Sequence, residues 1–496
     1  MADKTAPRAT SNRSTTPVSD TFAEYISSQW AERPDALPSP REQSAYAAAR
    51  RARISALHPG KRLILPAGAA KVRSNDTDYA YRAHSAFAHL TGWGSDSVPS
   101  SVLVLEPAAD GHVATLYFRK PAGRDSNEFY ANPEIGEFWI GARPSLAHVA
   151  ADLGIATADL ADFTTVLDAV DADTLVVRDA DRDITDQVDG RRLLTADSPH
   201  LEDTALENDG DTILARDLSE LRLVKDAFEI AEMRAAVDAT KLGFDDVIGD
   251  LSDITAHARG ERLVEGTFNR RARAEGNTVG YDTIAASGPH ACILHWTRND
   301  GPVVPGDLIL IDAGIELDSL YTADITRTLP VNGTFTEVQR RVYEAVREAA
   351  DAAFAIVRPG IKFREIHAEA MKVIAARTAE WGFLPVSAEE SLQPEHQYHR
   401  RYMVHGTSHH LGIDVHDCAA ARRDLYLDGI LEPGMVFTIE PGLYFQPDDL
   451  SVPEEYRGIG VRIEDNILVT ESGAENLSVG IPRTADDVEA WLARTS

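Results

Sequence analysis

Cysteine is almost absent. Two of 496 residues, Cys292 and Cys418, lie far apart in apolar segments, which excludes a disulfide framework and predicts two buried thiols. Basic residues are scarce too: 49 Lys and Arg against 79 Asp and Glu give a formal charge of -30. Nucleic acid and anionic membranes need Lys and Arg to displace counterions, so neither is expected as a partner. The acidic residues recur along the chain rather than in one tail, which reads as a device for solubility. No run reaches the roughly 18 consecutive apolar residues of a membrane span, and the N-terminus lacks the apolar stretch of a secretory signal. A cytoplasmic location is expected.

What is present falls into three parts. Residues 1–43 open in Ser, Thr, Ala and Pro without a hydrophobic period; ordering them costs more entropy than burial returns, so a mobile extension is expected. Residues 44–215 alternate strand-like runs ("RLILPAG", "SVLVLEP", "VATLYFRK", "DTLVVRD") with helical stretches such as "REQSAYAAARRARISALH", which implies an α/β layer domain. From 216 to 496 two helices precede strands around "TIAASG", "CILHW", "LILIDAG" and "DITRTLP". The order then repeats with two helices before "MVFTIEPGLYF" and "GVRIEDNILVT". Such recurrence suggests an internally duplicated α+β domain.

The chemistry lies in the second half. Asp312, Glu440 and Glu464 stand inside apolar strand runs, where an unpaired carboxylate would neutralise itself; Asp324 is a fourth, less deeply set. For any one alone, an ion pair with Arg327 or Arg462 is the simpler account. Four together, beside a stretch "VHGTSHHLGIDVHDC" with four of the chain's 16 histidines, favour a shared cation. Oxygen donors with one imidazole suit a hard or borderline ion such as Mn²⁺. A helical zinc pair at His405 and His409 fails, because Gly406 stands where the H-E-x-x-H pattern needs Glu. In an extended run His409 and His410 point to opposite faces, so at most one joins a common site; His405 shares parity with His409, and His410 with His416. Parity alone leaves their roles open. Cys418 is too soft a donor for this company. His295 and Tyr444, taken singly, read as core residues with one satisfied polar tip.

These stretches, with "CILHWTRND", "ADITRTLPVNG", "LEPGMVFTIEPGLY" and "YRGIGVRIEDN", resemble the pita-bread dinuclear metallopeptidases, within them the Xaa-Pro aminopeptidase group. With "YAYRAHSAFAHLTGW" the resemblance covers the chain from about residue 45. It implies an α/β N-terminal creatinase-like domain and an α+β pita-bread catalytic domain with an internal pseudo-twofold repeat. It also implies five ligands for two divalent ions, by preference Mn²⁺: Asp312, Asp324, His409, Glu440 and Glu464. Catalytic or substrate-orienting roles fall on Glu440, His295, His405 and His416. Substrate-binding or site-lining roles fall on Tyr281, Val415, Tyr444 and Arg462. Trp139 in "EFWIG" resembles the family's N-terminal-domain tryptophan that reaches a neighbouring subunit's site. Asp312 and Asp324 are twelve positions apart, one more than in the family; the extra residue is expected in the turn "ELDSLY".

The implied reaction removes the N-terminal residue from peptides with proline second. A water held between two cations ionises near neutral pH, Glu440 takes and returns the proton, and the metal with His405 steadies the oxyanion. His405, Val415, His416 and Tyr444 would select the proline ring. A homo-oligomer, dimer or tetramer, is expected. The alternatives are a prolidase restricted to Xaa-Pro dipeptides, a creatinase-like enzyme, or a metal-free module that binds peptides or histones.

Overall fold

The computed structural model describes residues 16–31, 36–75, 77–195 and 209–493. The chain divides into two compact units, Met1–Leu218 and Ser219–Ser496. In the N-terminal unit five strands form one mixed sheet in the order Ala156–Asp159, Gly111–Phe118, Val102–Ala108, Arg62–Pro66, Thr174–Val176. The central pairings are antiparallel and the outer ones parallel. Alternation puts Ile64, Val102, Val104 and Val176 on one face with Phe163, Val166 and Val188, while Leu63, Leu65, Leu103 and Leu105 are buried on the other. A sheet covered on both sides reads as an unbroken apolar run.

The expected mobile extension needs correction where it is described. Asp20–Ser27 is an α-helix whose N-cap, Ser19, accepts the Phe22 N–H at 3.3 Å. Phe22 packs edge-on against Tyr130 and Trp30 against Phe129, with ring centroids 5.5 and 5.6 Å apart. Aromatic pairs supply burial that averaged composition conceals. Residues 1–15 lie outside the described residues.

The C-terminal unit repeats one pattern. Helices Ala227–Gly249 and Gly260–Glu275 precede an antiparallel sheet of Ile284–Ser287, Leu308–Ala313 and Ile325–Pro330; helices Glu337–Ala355 and Phe363–Glu380 precede one of Val436–Ile439, Asp465–Val469 and Ala474–Asn476. The first helix of each half opens with a capping box, Asp226 with Glu229 and Thr336 with Gln339, which satisfies orphan N–H groups at both ends of the exchange. The halves join along Ile325–Pro330: Arg327, wholly buried, donates to Asp465 and to the Glu464 carbonyl at 2.7 and 2.6 Å. One expected strand is missing. "CILHW" follows a 3-10 turn, Gly288–Cys292, because tertiary contacts to Trp296 override its alternating pattern.

The loop between His409 and Cys418 is tied to the start of this unit. Asp417 accepts from Arg222 Nε at 2.8 Å and Lys225 Nζ at 2.9 Å, all three buried. Asp417→Ala removes the carboxylate shared by two buried cations, an expected loss of about 3–5 kcal/mol. Denaturant unfolding checks it; an unshifted C-terminal transition would refute the clamp.

Candidate active site

A cavity of about 480 Å³ opens in the C-terminal unit, lined on one wall by Asp312, Asp324, His409, Glu440 and Glu464 and elsewhere by Tyr281, Leu294, His295, His405, Val415 and His416. Strand parity assembles the wall. Asp312 pairs across the hairpin with Thr326, and Asp324 lies two positions from Thr326, so both aspartates share one face. The same register holds out to the bridge Glu316↔Thr322. Extra length in "ELDSLY" is thus confined to the tip, where Leu320 takes a left-handed φ of 72°.

Around the cavity the polar atoms are committed in a definite order. His409 Nδ1–H donates to the His410 carbonyl at 3.2 Å, which leaves Nε2 facing Asp324 at 3.2 Å and Glu440 at 3.5 Å. Atoms of Asp324, His409 and Glu464 lie within 4.8 Å of one another. Thr326 Oγ1 donates to Glu464 at 2.7 Å, and Thr438 Oγ1 to Glu440 at 3.3 Å. Asp312 is turned toward Arg462, which donates to its Oδ2, and toward the Tyr281 hydroxyl at 2.6 Å. Tyr281 also reaches Asp324, so one phenolic proton serves two carboxylates.

The electrostatics show a wall short of positive charge. Burial pushes Glu440 up to about 7 against the pull of His409, and burial with Asp324 and Glu440 holds Glu464 well above its usual range. Burial opposes charge on His409 as well, yet Asp324 and Glu440 raise it to about 9. A proton on Nε2 therefore stands where a cation would: four carboxylates and one lone pair, oriented by a hydrogen bond on the other ring nitrogen, fit a divalent ion.

Among the other expected residues, Val415, His295 and His416 line the cavity, and the His416 ring meets His409 edge-on at 4.5 Å. Tyr444 stands one layer behind, donating to His405 Nε2 at 2.8 Å and accepting from Arg462 Nη1 at 3.1 Å. His405 Nδ1 is taken by the Gly406 carbonyl at 2.6 Å. Burial and Arg462 lower its pKa to about 3. Both of its ring nitrogens are thus engaged, while the ring itself lines the cavity. Tyr281, expected among the substrate contacts, lines the cavity and also braces Asp312 and Asp324. Trp139 belongs to the N-terminal unit, exposed in the turn of helix Glu137–Ile140, its indole donating to the Tyr130 carbonyl at 2.8 Å. His410 stacks on Phe363 with centroids 4.6 Å apart, and burial lifts the Cys418 thiol to about 12; neither joins the wall. Thr326 and Thr438 were missed, although each lies two strand positions from a ligand candidate and so on its face.

Residues 231–471 match metallopeptidase family M24, and residues 46–176 match the aminopeptidase P N-terminal domain. The chain is 50% identical over 480 residues to Xaa-Pro aminopeptidase 1 of Streptomyces coelicolor, spanning 96% of this chain and 92% of that one. The chain belongs to metallopeptidase family M24. Its M24 segment includes all five residues of the carboxylate and histidine wall, carried on the family's pita-bread fold. Among solved structures, Pseudomonas aeruginosa aminopeptidase PepP superposes with a TM-score of 0.76 at 31% identity, covering 92% of this chain and 99% of that one. Escherichia coli aminopeptidase P with the inhibitor Pro-Leu gives 0.76 at 30% identity over 93% and 99%. Among the described residues, no helix of this M24 protein is long and apolar enough to cross a membrane.

Proposed function

We propose that this chain removes the N-terminal residue from peptides whose second residue is proline, using two divalent ions held by Asp312, Asp324, His409, Glu440 and Glu464. The observation that carries the reading is the convergence of four buried carboxylates and one oriented imidazole on a cavity wall, in a chain half identical to Xaa-Pro aminopeptidases. Hard oxygen donors with a single imidazole favour Mn²⁺. Bound divalent ions supply Lewis acidity, polarising a carbonyl and lowering the pKa of water toward neutrality.

The chain's own residues supply the remainder. Glu440, at the cavity wall, takes a proton from the attacking water and delivers it to the departing proline nitrogen. That nitrogen leaves as the amine of proline and, like any amide nitrogen, must gain a proton to depart. The free amine of the substrate faces the carboxylates of Asp312 and Asp324. Ile284, Leu294 and Val415 offer apolar walls to the ring, and His295 and His416 reach the substrate from the cavity's other side. Exposed Phe138, Trp139 and Ile140, at 63, 52 and 56% of their full accessibility, support a homo-oligomer, since exposed apolar groups of this size mark contact surfaces; Trp139 would then meet a neighbouring copy's cavity. The acidic composition supports a cytoplasmic location.

An Xaa-Pro-Xaa tripeptide assayed beside an Xaa-Pro dipeptide with Mn²⁺ present tests the activity. Cleavage of the tripeptide after its first residue is expected. Turnover confined to the dipeptide would make the chain a prolidase, and no turnover of either would refute the reading.

A further inference from the structure

Between residues 288 and 301 the chain forms an arch that brings Leu294, His295 and Thr297 to the cavity. One foot is the 3-10 turn Gly288–Cys292. The other is Asn299, fully buried at φ 46°; its side chain donates to the Thr283 carbonyl at 2.8 Å and accepts the Ala285 N–H at 2.9 Å. At the crown, the Thr297 N–H bonds the His295 carbonyl at 3.0 Å. Trp296, between these two residues, turns its side chain inward to a 9% exposed position. There its indole N–H donates to Glu261 at 2.9 Å.

Glu261 lies on helix Gly260–Glu275 and is wholly buried. It accepts from the Ser287 N–H at 2.9 Å, His290 Nδ1 at 2.7 Å, Trp296 Nε1 at 2.9 Å and the Gly301 N–H at 2.7 Å. Four donors fill the acceptor capacity of a carboxylate; three come from the arch and the fourth, Ser287, is the residue just before it. Among the described residues no Lys or Arg pairs with it; the ion-pair partner is His290, which stacks on Trp296 with centroids 3.8 Å apart. A Cβ at Gly301 would come within 2.7 Å of His290 and 2.9 Å of Glu261, so the space under the arch is closed. His295 itself is exposed and has no side-chain hydrogen bond among the described residues. Its placement therefore depends on the backbone that carries it.

We propose that Glu261 is a positioning residue for peptide hydrolysis: by holding Trp296 it sets the height of the arch and so the place of the His295 imidazole in the cavity. The proposal rests on the reading of the cavity as the peptide site. An ordinary buried anchor would stabilise the unit without regard to His295, whereas a positioning anchor acts on turnover chiefly through His295.

A double-mutant cycle on the full-length Mn²⁺-loaded enzyme separates the two. Turnover of an Xaa-Pro-Xaa tripeptide, bound metal and thermal midpoint are measured for the unmodified chain, Trp296→Phe, His295→Ala and the pair. Phe keeps most of the ring but loses the indole donor. Trp296→Phe is expected to lower kcat about 10- to 100-fold, the cost of a displaced contact group, with metal content unchanged. In the His295→Ala background the same change should cost less than about twofold. Glu261→Gln, which turns amide protons toward N–H donors, should repeat the pattern; should it fail to fold, the Trp296 cycle decides alone. Equal losses in both backgrounds, or no loss in the unmodified background, would overturn the proposal. Full turnover by His295→Ala alone would also overturn it while leaving the peptidase reading intact. Absence of tripeptide turnover in the unmodified chain identifies failure of that reading, and this proposal falls with it.

Discussion

Glu440→Gln is expected to lower kcat on an Xaa-Pro-Xaa tripeptide by about three orders of magnitude, the upper part of the range for general acid–base catalysis. The amide keeps the shape and an oxygen to face Thr438 Oγ1, 3.3 Å away, so folding should be preserved. What it loses is the exchangeable proton. Circular dichroism and metal analysis alongside the kinetics separate chemistry from collapse of the site. An enzyme that keeps its turnover would remove Glu440 from the proton path.

His409→Ala should act earlier, on the metal itself. Loss of a residue that merely orients a ligand costs about 10- to 100-fold in affinity, so loss of the ligand imidazole should exceed roughly 100-fold. The pH dependence carries a further signature. Without metal, His409 is raised from 6.5 to about 9; its stabilising contribution is complete below 6.5 and disappears as pH rises through 9. Glu440, raised from 4.5 to about 7, adds a loss of stability as pH climbs through that interval. Both shifts have one sign; the lowered imidazoles of His367, His405 and His410 oppose them only below pH 6.5, so the metal-free C-terminal unit should weaken between about pH 6.5 and 9. Added Mn²⁺, which displaces these protons, should raise the thermal midpoint more at pH 8 than at pH 6. In His409→Ala the component above pH 7 should vanish. A midpoint shift independent of pH would show that neither group exchanges its proton for metal.

The wall of the site was legible because its residues contradict their surroundings. Asp312, Glu440 and Glu464 are charges in strand sequence that is otherwise apolar, while the full set with Asp324 and His409 was implied by the family resemblance. Glu261 looked quite different. Its helix, "GERLVEGTFNRRARAE", is crowded with charge, and nothing local distinguishes a glutamate that faces inward; its donors lie 26 to 40 positions ahead. The strand expected at "CILHW" failed for the same reason, since local alternation was outweighed by distant contacts. His405 shows the limit of parity: it gave a face, but not the hydroxyl of Tyr444, 39 positions on, that engages its Nε2. The helix Asp20–Ser27 escaped because its stabilising partners, Tyr130 and Phe129, are about a hundred positions away.

The two repeats each bring part of the wall. Asp312 and Asp324 come from the first sheet's hairpin, while His409, Glu440 and Glu464 come from the second half. An ion held by both sets is a non-covalent cross-link between repeats, and its binding energy becomes cohesion of the whole unit. With such an ion bound, a chelator would act on this architecture as a reducing agent acts on a disulfide-stapled one.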